Sequence, residues 1–279
     1  MKLRVYSDLH LDHYVNGAPH QWVPPVLPDD HEATLILAGD LWIGTNFIES
    51  TGDYTPTSWI SSVACRFKMV LIVLGNHDYW PCSKDITIKT GAAKCNSMMY
   101  DRGIMNVKVL DCDTYEDEGV LFVGATLWTD MDKEDPLTMH NMPNYMMYDG
   151  KIAYETFPGG GWDRFTSDKW VTTHYKHRAY LKLVVEQNRD KKVVVITHHL
   201  PLLTVSDPVY AGDSGNGYYS SDLSEFILDN EHIAYWFYGH THYQKETLLG
   251  KTNVINNCVG YKSEQLERRG LVSHNYLEV

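Results

Sequence analysis

Residues 69–78 read MVLIVLGNHD: six apolar residues, a glycine, then three side chains able to hold a cation or move a proton. An apolar run of that length suits a strand buried on both faces, as in a sheet covered by helices. Gly75 lets the backbone turn sharply as it leaves the strand. The same grammar recurs along the chain. KLRVY at 2–6 leads to Asp8-Leu9-His10, and TLILA at 34–38 leads to Gly39-Asp40. KVVVI at 192–196 leads to Thr197-His198-His199, and the aromatic run IAYWFY at 233–238 to Gly239-His240-Thr241-His242. In open α/β sheets, ligands collect beyond the carboxyl ends of the strands, so five strands are expected to deliver Asp, Asn and His to one edge.

The segments between these runs are compatible with helices, notably around 57–68, 83–100, 168–190 and 220–230. Such alternation predicts an α/β layered fold. Runs at 245–249, 252–258 and 271–278 read as consecutive strands, a meander that would lay a second, more antiparallel sheet against the first. Residues 129–166 differ. They are rich in Met, Tyr, Asn, Asp, Gly and Pro and show no clear period. Their apolar content argues against simple disorder, so they read as an ordered insertion overhanging the site. No repeat or linker divides the chain, which reads as one domain spanning 1–279.

Composition narrows the function classes. The chain has 279 residues, 43% hydrophobic and 22% charged, long enough to bury a full core. No apolar run is long enough for a bilayer, and the first residues enter a strand without a signal-peptide pattern. No membrane partner is expected, and the default location is cytoplasmic. The five cysteines, Cys65, Cys82, Cys95, Cys112 and Cys258, form no Cys-x-x-Cys pair. They read as reduced, mostly buried thiols. A net charge of −12 disfavours binding to a nucleic-acid backbone, which relies on Lys and Arg. Bound divalent cations would oppose that global field locally.

Residues i and i+2 of an extended segment face the same way, so Asp8 and His10 are expected to face one ion, and His240 and His242 likewise. Carboxylate, amide and imidazole form a hard-to-borderline set suited to Mn, Fe, Zn or Mg. Singly, Asp-x-His and Gly-Asp are common turn sequences. Their joint occurrence, each after an apolar strand, is what points to a metal site. Of the pair His198-His199, the strand alternation favours His198 as ligand and leaves His199 packed or, if the chain bends toward Pro201, near the substrate. His174 and His177, spaced i, i+3, read as a solvated helix face. His13, His20 and His31 read as surface residues near the entrance. Among the aromatics, Trp42 and Trp80 stand out because each closely follows a ligand motif. Gly159-Gly160-Gly161 lacks the lysine and strand of a phosphate loop.

Together, Asp8-x-His10, Gly39-Asp40, Gly75-Asn76-His77-Asp78, His198 and Gly239-His240-x-His242 resemble the calcineurin-like metallophosphoesterases in order and type. The resemblance implies two packed mixed β-sheets flanked by helices, with two divalent metal ions at the sandwich edge. Manganese is the ion expected to serve in vitro. It implies that Asp8, His10 and His242 hold one cation, that Asn76, His198 and His240 hold the other, and that Asp40 bridges them. His77 would face the phosphate as general acid, with Asn76 nearby, and Asp78 would hold the His77 imidazole in its working tautomer. A water activated between the cations would attack the phosphorus. The expected substrate is a phosphate mono- or diester of a small molecule or nucleotide. A nuclease, a protein phosphatase and a catalytically silent scaffold are the rival readings.

Overall fold

The computed structural model describes residues 1–11, 14–15, 18–19, 22–42, 56–80, 86–267 and 272–279. Two large mixed β-sheets are packed face to face and flanked by helices. The first sheet runs in the order Leu277–Glu278, Lys2–Tyr6, Thr34–Ala38, Met69–Val73, Val107–Val109. All its pairs are parallel except the one made by Leu277–Glu278. The second runs Lys245–Leu249, Thr252–Asn256, Ile233–Tyr238, Lys192–Thr197, Val120–Ala125, Asp113–Asp117. Its three central pairings are parallel and its two outer ones antiparallel.

The period of two explains why the central strands are apolar throughout. Ile36, Ala38, Leu71 and Val73 pack between the sheets with Val194, Ile196, Phe122 and Phe237. Their neighbours Leu35, Leu37, Val70 and Ile72 point outward, beneath the helix Pro56–Ala64 with its Trp59, Ile60 and Val63. On the other sheet Val193 and Val195 meet Leu181 and Val185 of the helix Ser167–Gln187. Both faces of these central strands are buried, so no polar alternation is tolerated there.

Several expectations need correction. The second sheet is not a terminal meander. It begins at Asp113–Asp117 and Val120–Ala125, strands the sequence reading passed over, and only Lys245–Leu249 with Thr252–Asn256 forms the expected hairpin. The stretch expected as a strand at 271–278 narrows to Leu277–Glu278 and joins the first sheet. The helix placed at 83–100 is Gly91–Asp101, with 81–85 outside the described residues, and that placed at 220–230 is only Ser224–Leu228. Residues 129–166 contain a helix, Pro136–Tyr145, and a hairpin of Ala153–Thr156 with Trp162–Arg164. Among the described residues no helix is long and apolar enough to cross a membrane.

His174 and His177 are not on a solvated face. They are 0% and 3% exposed, on the side of Ser167–Gln187 that covers the second sheet. The His174 ring nitrogen Nδ1 donates to the Leu127 carbonyl at 3.1 Å, and the Leu127 N–H donates to His177 Nδ1 at 3.2 Å. Burial pushes the His174 imidazole down to about 4. The unfolded chain therefore binds a proton that the fold excludes, and this contribution is lost as pH falls from about 6.5 toward 4. Between pH 7 and pH 5 the wild type should lose about 2 kcal/mol more stability than His174→Gln, read from urea unfolding at both pH values. Equal losses would show that His174 is not held neutral.

Candidate metal centre

The loops after five strands converge where the two sheets meet. The Asp8 N–H donates to the Gly39 carbonyl at 2.9 Å and the His10 N–H to the Asp40 carbonyl at 3.0 Å, tying the first two motif loops side by side. The His240 N–H donates to Asp8 Oδ1 at 2.9 Å, which ties in the last. Three groups of potential ligand atoms result: Asp8, His10 and His242; Asp40, His198 and His240; and His10, Asp40 and His77. Within each group the atoms lie within 4.8 Å of one another.

The backbone that does this is not extended. Asp8, His10, Asp40, His240 and His242 have φ of 54°, 43°, 55°, 76° and 49°. Left-handed conformations are costly for such residues and concentrate at functional sites. Asp8 and His10 do come together, but through these turns and not through strand alternation. His240 and His242 separate, one into each group, which corrects the strand-alternation expectation that they face one ion and matches the grouping that the resemblance implies. The glycines are required by close approach: a Cβ on Gly75 would collide with the Asp40 carboxylate, and one on Gly39 with the His198 ring.

Electrostatics follow from burial. Asp8 and Asp40 are 0% and 1% exposed. Burial pushes the Asp8 carboxyl up, whereas the imidazoles of His198, His77 and His10 hold Asp40 well below the usual range despite its burial. His198 places Nδ1 2.9 Å from the Ala38 carbonyl and Nε2 3.0 Å from Asn76 Oδ1, so acceptors flank both nitrogens. Against the effect of burial, Asp40 pushes this imidazole up to about 9. Acceptors converging on one point demand positive charge there, which a divalent cation supplies. Consistent with that demand, His240 Nε2 is buried without a hydrogen-bond partner. His10 Nε2 and His242 Nε2 lie 2.9 Å apart, while His242 Nδ1 sits 2.7 Å from Glu264 Oε2. A carboxylate behind one nitrogen fixes the ring so that the other faces the ligand group. The donor set fits divalent metal ions.

His77 is 8% exposed on the wall of a cleft of about 430 Å³, which is also lined by Asp40, Asn76, Trp80, Tyr148, Asp149 and Tyr219. Its ring stacks on Trp80 at 3.4 Å between centroids, and its Nε2 is 3.9 Å from Asp40 Oδ2. Two assigned roles are corrected. The Asp78 carboxylate accepts from the N–H groups of Gly75, Asp40, Leu41 and Trp42 at 2.8–3.0 Å, buckling two motif loops together and leaving the His77 ring to other neighbours. His199 is fully buried, with Nδ1 3.3 Å from the Thr126 carbonyl and its ring 4.3 Å from that of His240. It lies behind the ligand cluster that His198 joins and does not reach the cleft.

Trp42 is core, packed near Trp59, whereas Trp80 lines the cleft. His31 is exposed, and His13 and His20 lie outside the described residues. Among the described cysteines, Cys95 and Cys258 are buried, Cys112 is half-buried and Cys65 is exposed. Glu264 and Asp149 were missed. Neither follows an apolar strand, and each holds a side chain of the site, His242 or Asn76, from a distant segment.

A protein of Acanthamoeba polyphaga mimivirus is 25% identical over 278 residues, covering 94% of this chain and 92% of its own. The phosphopantetheinyl hydrolase of Mycobacterium tuberculosis shares the fold, with a TM-score of 0.67 at 19% identity over 97% of this chain and 93% of its own. The sequence profile of the calcineurin-like phosphoesterases matches residues 1–244. That match runs from the first strand past the His240–His242 turn, and the chain belongs to the calcineurin-like phosphoesterase family.

Proposed function

We propose that this protein hydrolyses a phosphate ester of a small molecule with two divalent metal ions, manganese serving in vitro. The observation that carries the reading is the position of Asp40. One of its oxygens lies 3.4 Å from His198 Nε2 and the other 3.9 Å from His10 Nε2, so a single carboxylate addresses both ligand groups. Asp8, His10 and His242 would hold one ion, Asn76, His198 and His240 the other, and Asp40 both. When bound, such a pair supplies positive charge to the phosphate and acidifies a water for in-line attack. The remaining work belongs to the chain. His77 delivers a proton to the leaving oxygen from the cleft wall, and Glu264 orients His242. Asp78, through four backbone N–H groups, fixes the loops that carry Asp40 and Asn76.

The cleft supports a small substrate. About 430 Å³ suits a compact organic molecule, and its walls are Tyr145, Met146, Met147, Tyr148 and Tyr210. Among the described residues the lining holds Asp149, Asp207, Asp213 and Glu264 but no Lys or Arg, a poor track for a nucleic-acid backbone. The Mn(II)-loaded chain should release nitrophenol from p-nitrophenyl phosphate or its bis ester and leave a labelled oligonucleotide intact. Chelation should lower turnover at least about a hundredfold. Undiminished hydrolysis after chelation would end the metal reading, and rapid oligonucleotide cleavage would replace the small substrate with a nucleic acid.

A further inference from the structure

Asp149 opens the short 3-10 turn Asp149–Lys151 within the irregular segment and is 2% exposed. Its Oδ1 accepts from Asn76 Nδ2 at 3.0 Å and from Trp80 Nε1 at 3.0 Å. The first contact settles a choice that the shape of an amide leaves open. The two ends of an asparagine amide are nearly the same size, but only the carbonyl end can ligate a cation, whereas the NH₂ end can only donate. A carboxylate oxygen facing Asn76 accepts the NH₂ end and so turns the carbonyl the other way. That carbonyl is 3.0 Å from His198 Nε2, at the group formed by Asp40, His198 and His240.

The second contact acts on the proton donor. Trp80, held by the same oxygen, stacks on His77 with an interplanar angle of 26° and also on Tyr148, the residue before Asp149, with centroids 4.8 Å apart. One oxygen atom therefore sets the orientation of a ligand amide and the seat of the His77 ring. We propose that Asp149 is a positioning residue of the metal centre, which makes the 129–166 segment part of the catalytic apparatus and not only its cover. This rests on the reading of Asn76 as a metal ligand.

Because both donors share one oxygen, Asp149→Asn can keep both hydrogen bonds with its amide oxygen, whereas Asp149→Leu keeps neither. Mn(II) titration followed by electron paramagnetic resonance should show one of two sites weakened about 10–100-fold in the leucine variant. The asparagine variant should stay within about threefold of wild type, because acceptance and not charge is what orients Asn76. Asp149→Ala is a second acceptor-free variant should leucine not fold, and it should match the leucine result. Wild-type affinity at both sites in an acceptor-free variant would overturn the assignment. So would an asparagine variant as weak as the leucine one. A wild-type chain that binds no Mn(II) would overturn the metal-centre reading and this assignment with it.

Discussion

Asp40→Ala is expected to leave a folded chain that no longer holds a pair of Mn(II) ions and turns over phosphate esters about 10³-fold more slowly or worse. Removing one preorganised charge-stabilising group typically costs 10²–10³ in rate, and Asp40 serves two ligand groups at once. Its carboxylate is 1% exposed, and the imidazoles of His198, His77 and His10 keep it ionised despite that burial. Alanine removes the anion that makes it favourable to gather cations there. It also removes the acceptor for the His77 backbone N–H, at 2.9 Å. Metal stoichiometry by equilibrium dialysis, turnover on bis-p-nitrophenyl phosphate and circular dichroism separate loss of the site from loss of the fold. A folded variant that binds two ions and keeps wild-type turnover would refute the bridging role.

What could be read beforehand and what could not divide along physical lines. Strands such as Thr34–Ala38 and Met69–Val73 were legible because burial on both faces forces a continuous apolar run. Asp8, Asp40, Asn76, His198 and His240 were legible because each polar residue stands at the end of such a run, where a buried strand gives way to an edge. The geometry by which they meet was not, since left-handed φ values at Asp8 and His10 leave no mark in residue spacing. Asp78 shows the danger of adjacency. It neighbours His77 in sequence, yet in the 3-10 turn His77–Tyr79 its side chain faces the backbone of two loops. Glu264 and Asp149 were invisible for the opposite reason. Their partners His242 and Asn76 are 22 and 73 residues away, and only tertiary packing joins them. His174 and His177 misled because a polar ring anchored to the backbone by a hydrogen bond can occupy the buried face of a helix.

His77→Ala should lower kcat by about 10²–10⁴-fold on an alkyl phosphate ester and markedly less on a p-nitrophenyl ester. The difference is the informative quantity. An alkoxide is a poor leaving group until it receives a proton, whereas nitrophenolate departs without one. The proposed source of that proton is His77, which is on the cleft wall, close to the Asp40 carboxylate, with its ring seated on Trp80. Mn(II) affinity should be unchanged, since His77 is not assigned to either ion. If the two esters lose turnover equally, His77 acts on the charge of the phosphoryl oxygens and not on the leaving group. If Mn(II) affinity falls in step with turnover, its closeness to His10 and Asp40 is ligation, and the proton must come from elsewhere on the cleft wall.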